Sequence, residues 1–451
     1  FRLVRMGGAM TDRLLEAFIV SAATEVGDRM TPVMMFCFAP EDAHVMQYKP
    51  VPDFSFPDPQ QLKPGGSKSP TAATPAQNET FVFTLTDKDS NRLYGFCRRY
   101  SAAAGSSVEV ACILTRHCWY DAFSRLLDVV EDTATGPKGA YGVAALMKAI
   151  TAAGLPHPGQ LLHIPVAGIH PSAHTLSIER PMNTSRCTYD RRLCVLFRSM
   201  VVSKIVMLFF LMLTERRIIL MSAYPSVLSD CAHALASLLY PFQWEHIYVP
   251  ILVPKMIDYV CAPMPFLIGM HISMLPQLKS QPMEEVVMVD LDRGRLRYNE
   301  KDIQHLPDEH FDSMVNALQA SLEAKTGDDS QDWAPLANVF LDFFLSVFSN
   351  YRRFIKVPKE GAPQQGSIEG RASSATFDNE AFIKSHRKNI SKFLNEFERS
   401  QMYEVFFYER SAAAFKETQA QTDPFELAVL AIHGPDLGVR ASDDSTHGTE
   451  G

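Results

Sequence analysis

The sequence has no CxxC pair, which removes the commonest zinc-ligand spacing. Its cysteines, Cys37, Cys97, Cys112, Cys118, Cys187, Cys194, Cys231 and Cys261, fall singly, most of them inside apolar runs such as MMFCF, YGFC, LCVLF and DYVCA. Such usage points to buried free thiols in a cytosolic protein. No secretory signal opens the chain, and Phe1 in place of Met reads as a fragment of something longer. A membrane-length apolar run is also missing. The greasiest stretch, Leu193–Leu213 (LCVLFRSMVVSKIVMLFFLML), is interrupted by Arg198 and Lys204, and the uncharged run Ile205–Thr214 is half the roughly 20 residues a span needs. Apolar residues on nearly every face predict one helix buried in an α/β core. Positive charge is in deficit: Lys and Arg number 43 against 51 Asp and Glu, a net charge of −8. That balance argues against general nucleic-acid binding and gives no reason for the chain to grip an anionic membrane alone.

The constellations of covalent chemistry are absent too. GGSKS, Gly65–Ser69, lacks the GxxxxGK[ST] frame of a phosphate loop and sits in a Pro-rich stretch, so it reads as a solvated loop. No GxSxG elbow or HExxH occurs. VVMVDLDRG resembles the strand-plus-DxD start of some phosphatases, where two carboxylates hold Mg²⁺. Gly294 stands where a Thr is expected, so Asp290, Asp292 and Gly294 read better as a β-turn. The histidines are dispersed: His233 falls on an apolar helix and reads as a core residue, while His246 and His271 flank strands, and no pair has i, i+4 metal spacing with a carboxylate nearby. Neither cofactor nor metal is expected. The absences lean toward a protein that acts by binding another protein.

What is present suggests two or three domains in 451 residues, 46% of them hydrophobic, and a charged share of only 21% excludes wholesale disorder. In the upstream segment, residues 10–135, LLEAFIVSA, PVMMFCF, FVFTLTD, LYGFCRRY and VEVACILTR read as strands, and WYDAFSRLLDVVED as a helix. Pro57–Glu79 is a loop or insertion, and Asp87–Asn91 is turn chemistry. The central segment, residues 161–300, alternates: RRIILMS, HIYVPIL, PFLIGMH and EEVVMVDLD as strands, VLSDCAHALASLLYPF as a helix, and MIDYVCA as a helical turn. Such alternation predicts a mainly parallel sheet. Residues 301–411 are helical: LPDEHFDSMVNALQASLEAK, WAPLANVFLDFFLSVFSNYRRFI, NEAFIKSH and RKNISKFLNEFERSQMYEVFFYER. Pro358–Thr376 reads as a loop and contains IEGR, Ile368–Arg371. Residues 412–451 form a mostly disordered tail, except that PFELAVLAI, Pro424–Ile432, suits a docking helix. No internal repeat is visible.

Leu213–Leu275, LTERRIILMSAYPSVLSDCAHALASLLYPFQWEHIYVPILVPKMIDYVCAPMPFLIGMHISML, resembles the central region of a DENN domain. The family's ERRI strand, HALA…LLYP helix, W-x-H-x-Y-x-P strand and DY-C-APMP-LIG-H turn have counterparts in order and spacing. Phe81–Arg98 resembles the upstream part and Ser385–Arg410 the downstream part, so the resemblance covers about Leu14 to Arg410. CAPMPFLIGMHISM, with LPHPG before it, is most similar to the connecdenn branch. The two long loops, Pro57–Glu79 and Pro358–Thr376, depart from the family.

The resemblance implies a bilobed α/β fold: an N-terminal longin-like antiparallel sheet, then a mainly parallel α/β lobe closed by helices. It implies a guanine-nucleotide exchange factor that binds the switch regions of a Rab GTPase. GDP, GTP and Mg²⁺ would belong to that partner. It further implies a cytoplasmic protein recruited peripherally to endocytic vesicles or endosomes, with contacts to clathrin or adaptor proteins through regions outside this chain. Candidate contacts follow from strand-end logic in open parallel sheets: Ser222, Ala223, Tyr224, Pro225 and Ser226 after RRIILMS; Val253, Pro254 and Lys255 after HIYVPIL; His271 after PFLIGM. Gln243, Trp244 and Glu245 form a further candidate before HIYVPIL. Trp244 more often packs than docks in such a setting, and Tyr224 reads equally either way. One of Arg216 and Arg217 is expected to be solvated or salt-bridged. Arg98 and Arg99 invite an alternative reading as an arginine finger of a GTPase-activating protein, against an exposed strand-end pair. A non-catalytic GTPase-binding scaffold is the third reading.

Overall fold

A computed structural model describes residues 2–6, 13–26, 29–40, 45–58, 79–86, 91–101, 108–170, 173–181, 191–283, 285–324, 333–357, 375–415, 424–434 and 440–441. Nearly all of Pro57–Glu79 with GGSKS, the turn at 87–90, Cys187, Ile368–Arg371 and most of the tail lie outside the described residues.

The N-terminal half forms a six-stranded sheet ordered β1-β3-β2-β6-β5-β4. Its members are β1 (Arg2–Met6), β2 (Ala17–Val26), β3 (Arg29–Pro40), then α1 (Val51–Ser55), β4 (Thr80–Thr86), β5 (Arg92–Ser101) and β6 (Val108–Thr115). Five of these strands are antiparallel; β1, which the sequence reading omitted, runs parallel to β3. Strand alternation sends neighbouring side chains to opposite faces. Phe18, Val82, Phe96 and Ile113 enter one core, while Ile19, Phe81, Cys97 and Cys112 enter another.

The first core is roofed by α2 (Tyr120–Thr135), α3 (Gly139–Ala153) and the hairpin of β7 (Leu161–Pro165) and β8 (Thr175–Glu179). Sequence grouping placed the hairpin with the central segment and left α3 unassigned. Packing puts both with the N-terminal sheet: Val143, Leu146, Ile164 and Ile178 are buried in its core.

Leu193–Leu213 is not one helix. It breaks into α4 (Arg191–Ser199) and α5 (Val202–Leu213), bent by 111°. Val201 takes an extended conformation, and Ser199 Oγ donates back to the Val195 carbonyl at 2.8 Å. Lys204 Nζ donates to the Gly294 carbonyl at 2.6 Å, fixing the corner to a turn 90 positions away. No single described helix is long and apolar enough to cross a membrane, and α5 is buried in the core.

The central sheet has order β10-β11-β9-β12-β13, parallel except for β13. It comprises β9 (Arg217–Ser222), α6 (Pro225–Leu238), β10 (Ile247–Leu252), β11 (Phe266–His271), α7 (Leu275–Leu278), β12 (Val286–Asp290) and β13 (Arg295–Arg297). MIDYVC falls in a 3-10 segment, Pro254–Cys261, which Ala262 ends. Gly269 is required where β11 meets β10, because a Cβ there would lie 1.9 Å from the Pro250 carbonyl oxygen. The two sheets share a core: Ile251 and Val253, at the end of β10, pack with Phe81, Phe83 and Phe54.

The C-terminal helices are α8 (Asp308–Glu323), α9 (Ala334–Phe348), α10 (Asn379–Lys384), α11 (Lys388–Phe397), α12 (Gln401–Phe415) and α13 (Pro424–His433). The expected long helix through Ile355 stops at Phe348, and Ile355 instead opens β14 (Ile355–Val357), which pairs with β15 (Thr376–Phe377) and β16 (Arg440–Ala441). The expected helix through Arg410 is divided at Glu398–Ser400, where Glu215 accepts hydrogen bonds from Gln401 N and Met402 N and caps α12. Phe209, Phe210, Phe242, Phe343, Phe344 and Phe397 interlock in the core beneath. Pro424–Ile432 is helical and docked: Phe425 and Val429 are fully buried, and Glu426 accepts from Tyr351 at 2.6 Å and pairs with Arg352 and Arg410.

Candidate functional site

The loops leaving the carboxyl ends of β9, β10 and β11 meet the N-terminal half of the chain, and each is held there by one of its carboxylates. The β9 loop is the most constrained. Ser222, fully buried, donates from Oγ to Asp292 Oδ1 at 2.6 Å, and Ala223 N donates to Asp292 Oδ2 at 2.8 Å. Tyr224 N donates to Ser222 Oγ at 3.0 Å. Pro225 then opens α6 with its missing N–H at a position where no intrahelical partner exists. Tyr224, the N-cap residue, supplies no side-chain cap. Glu79 supplies it instead: its Oε1 accepts from Ser226 N at 2.9 Å and from Ser226 Oγ at 2.8 Å. A carboxylate at a helix N-terminus also meets the positive end of the helix dipole.

Glu79 is oriented from behind by Arg99, whose guanidinium donates to Oε2 at 2.8 Å. Both side chains are about 95% or more buried, and Arg99 lies over the Phe81 ring. Burial holds the Arg99 pKa below its usual value despite Glu79.

The β10 loop carries Lys255, which pairs with Asp53 at 2.7 and 2.8 Å in an exposed setting worth less than about 1 kcal/mol. The β11 end carries His271, buried, with Nε2 2.9 Å from the Ala223 carbonyl. Its Nδ1 accepts from Ser273 N at 3.2 Å, so the proton belongs on Nε2. Asp58 stands 3.6 Å from Nδ1, and Ser273 Oγ donates to it at 3.4 Å. Ser222, Tyr224, Pro225, Lys255 and His271 therefore share one end of the sheet. Of these, Tyr224 is a large apolar group held partly in solvent, 38% exposed on an immobilised loop.

Gln243, Trp244 and Glu245 precede β10 and so lie at the opposite end of the sheet. Trp244 is 2% exposed, its indole donates to the Ile247 carbonyl at 3.1 Å, and its own carbonyl accepts from Arg92 at 2.5 Å. It is a core residue, which removes it from the contact candidates. Gln243 and Glu245 are exposed, and partial burial raises the Glu245 pKa despite Arg92.

Arg98 pairs with Asp128 and, at 3.2 Å, with Glu131, and Arg99 is buried against Glu79. Neither is the exposed strand-end residue expected, and neither is free to reach a partner's active site. Arg216 bridges Asp302 at 3.3 Å and Glu396 at 3.4 Å. His233 is in the core, bonded through Nδ1 to the Tyr248 hydroxyl, and His246 pairs with Glu215 at 2.8 Å. Asp290 accepts from Arg293 N at 3.1 Å and Gly294 has φ +59°, as a turn requires. Among the described residues no group of three or more His, Cys, Asp or Glu is placed to hold a metal.

Sequence reasoning missed Asp53, Asp58, Glu79 and the second role of Asp292. The DxD spacing marked Asp292 as notable, but only the fold brings it to Ser222.

The DENN (AEX-3) domain profile matches residues 106–294, and the uDENN domain profile matches residues 31–100. The chain belongs to the DENN domain family. It is 32% identical over 418 residues to human DENN domain-containing protein 2B, covering 88% of this chain and 35% of that protein. Human DENN domain-containing protein 2A is 34% identical over 385 residues, 81% of this chain and 35% of that protein. Mouse DENN domain-containing protein 1A, of the connecdenn branch, is 31% identical over 329 residues, 73% and 29% respectively. The chain thus spans about a third of the length of the curated relatives it matches. Within the DENN fold, both profiles contribute to the carboxyl-end site: the uDENN match contains Asp53, Asp58, Glu79 and Arg99, and the DENN match contains the loops they hold.

Proposed function

We propose that this DENN domain is a guanine-nucleotide exchange factor for a Rab GTPase acting in endocytic or endosomal traffic. Two observations support the reading. The family is one of Rab exchange factors, and the carboxyl end of the central sheet carries an exposed aromatic on a loop fixed by Asp292, Glu79 and His271. The second carries the mechanism. A nucleotide held at nanomolar affinity is held by roughly 12 kcal/mol. An exchange factor makes and breaks no covalent bond; it binds the switch segments in a shape that cannot also hold nucleotide, and each roughly 1.4 kcal/mol so applied speeds release tenfold. That demands a surface whose own shape does not yield, with an aromatic anchor inside a polar rim. Ser222, Tyr224, Pro225, Lys255 and His271 form that surface in this reading, with Tyr224 the anchor, Lys255 at the rim, and Ser222 and His271 supporting from beneath. Gln243 and Glu245, at the other end of the sheet, are left as a separate peripheral contact.

The test is release of a fluorescent GDP analogue from a panel of Rab proteins. Acceleration of at least one supports exchange. Stable capture of a Rab without faster release would make the domain a scaffold instead. The ion pairs of Arg98 and Arg99 favour exchange over the GTPase-activating alternative.

A further inference from the structure

The loops at the carboxyl end of the central sheet are not held by that sheet alone. Glu79 reaches the loop after β9, Asp53 the loop after β10, and Asp58 the end of β11. All three carboxylates come from the N-terminal half of the chain, one to each strand. Of the three links, the Glu79 link has its carboxylate buried, with Arg99 buried behind it and Ser226 half-buried in front, whereas the Asp53 link is exposed. Burial decides which of them constrains geometry: a buried carboxylate with no water to turn to keeps its partners, whereas an exposed pair exchanges them freely.

The geometry points to Glu79 and Arg99 as positioning residues for partner recognition: acting through Ser226, they fix the start of α6 and hence the pose of Tyr224. Arg99 orients Glu79, Glu79 caps α6, and the cap sets the backbone of residues 223–226. Ser226 lies two residues after Tyr224, so release of the cap frees the helix turn that carries the aromatic. Asp292 and His271 hold Ala223 from the other side, which leaves the Glu79 link as the constraint supplied by the N-terminal sheet. This inference rests on the exchange reading for its consequence, but its structural content is measurable without it.

The experiment uses the whole chain with Glu79→Ala, Glu79→Gln, Ser226→Ala and Tyr224→Ala. Amide hydrogen exchange is read over residues 223–228, beside steady-state nucleotide release against a Rab that the wild type accelerates. Glu79→Ala is expected to speed amide exchange there about tenfold, the factor for loss of one charge-assisted hydrogen bond. It is also expected to raise the KM for the GTPase about fivefold or more with kcat little changed, the signature of lost partner binding. Glu79→Gln, which keeps an acceptor for Ser226 but turns an amide NH2 toward Arg99, should restore part of both. Tyr224→Ala should raise KM while leaving amide exchange over 225–228 as in the wild type. Should Glu79→Ala fail to fold, Ser226→Ala removes a single donor and carries the same prediction in milder form. Unchanged amide exchange at 223–228 in a folded Glu79→Ala or Ser226→Ala protein overturns the inference, as does faster exchange with KM unmoved. A wild type that accelerates no Rab defeats the exchange reading instead, and hydrogen exchange alone then decides whether the cap positions the loop.

Discussion

Glu79 and Ser226 are 147 positions apart in the chain and are joined by two hydrogen bonds, of 2.9 Å to the backbone N–H and 2.8 Å to the hydroxyl. A side chain at the foot of the N-terminal sheet thereby caps the helix that begins beside the most exposed aromatic of the candidate site.

Tyr224 is the first residue to change. Its ring is partly solvent-exposed, so removing it forfeits little packing in the free protein. Tyr224→Ala should leave the melting temperature within a few degrees of wild type while lowering kcat/KM for nucleotide release about tenfold or more, the range of an aromatic anchor. Equal activity of the two proteins would remove Tyr224 from the contact surface.

Trp244 should behave in the opposite way. It is buried in the main core and bonded to the Ile247 carbonyl. Trp244→Ala is expected to cost roughly 3–5 kcal/mol in urea denaturation, the cost of emptying a large aromatic site. Loss of activity in a variant with unchanged stability would instead assign it a contact role.

Gly269 tests the packing of the parallel sheet. A single methyl at this position meets the Pro250 carbonyl oxygen at 1.9 Å, and backbone atoms on both strands leave no side chain to move aside. Gly269→Ala should destabilise by more than about 4 kcal/mol, beyond the ordinary range of point changes, and accumulate as insoluble protein. Wild-type solubility and melting would show that β10 and β11 can part without cost.

His233 sets a pH dependence. Burial, with Arg192 adding to it, lowers its pKa well below the ordinary 6.5. A base with a depressed folded pKa takes up a proton more readily when unfolded, so its contribution to stability is complete above the unfolded pKa and is lost as pH falls below it. The loss proceeds at up to about 1.4 kcal/mol per pH unit. Between pH 7 and pH 5 the wild type should therefore lose stability more steeply than His233→Gln, which cannot take up that proton. Parallel denaturation curves for the two proteins over that range would contradict the buried, neutral state.

Much of this architecture is legible along the sequence, and particular residues explain where it is not. VEVACILTR and FVFTLTD alternate or run apolar, and each forms the strand expected, β6 and β4. GAYGVAALMKAITAA, which forms α3, does carry a helical apolar period in Val143, Leu146, Met147 and Ile150, set among small residues, and the sequence reading passed over it. The break between α4 and α5 depends on the Gly294 turn meeting Ser199 and Lys204, and no local property of LCVLFRSMVVSKIVMLFFLML encodes it. At the site, Tyr224 was legible because it follows a short buried strand. Asp53 and Asp58 were not: their partners Lys255 and Ser273 lie 202 and 215 positions away, a pairing that only tertiary structure creates.

The most direct measurement of the central claim is the rate of GDP release from a panel of purified Rab proteins, with and without this chain in catalytic amount. The account predicts that at least one Rab releases nucleotide about tenfold or more faster with the wild-type chain, and that Tyr224→Ala largely abolishes the gain. A folded protein that accelerates release from no Rab, or one whose activity is indifferent to Tyr224, would contradict it.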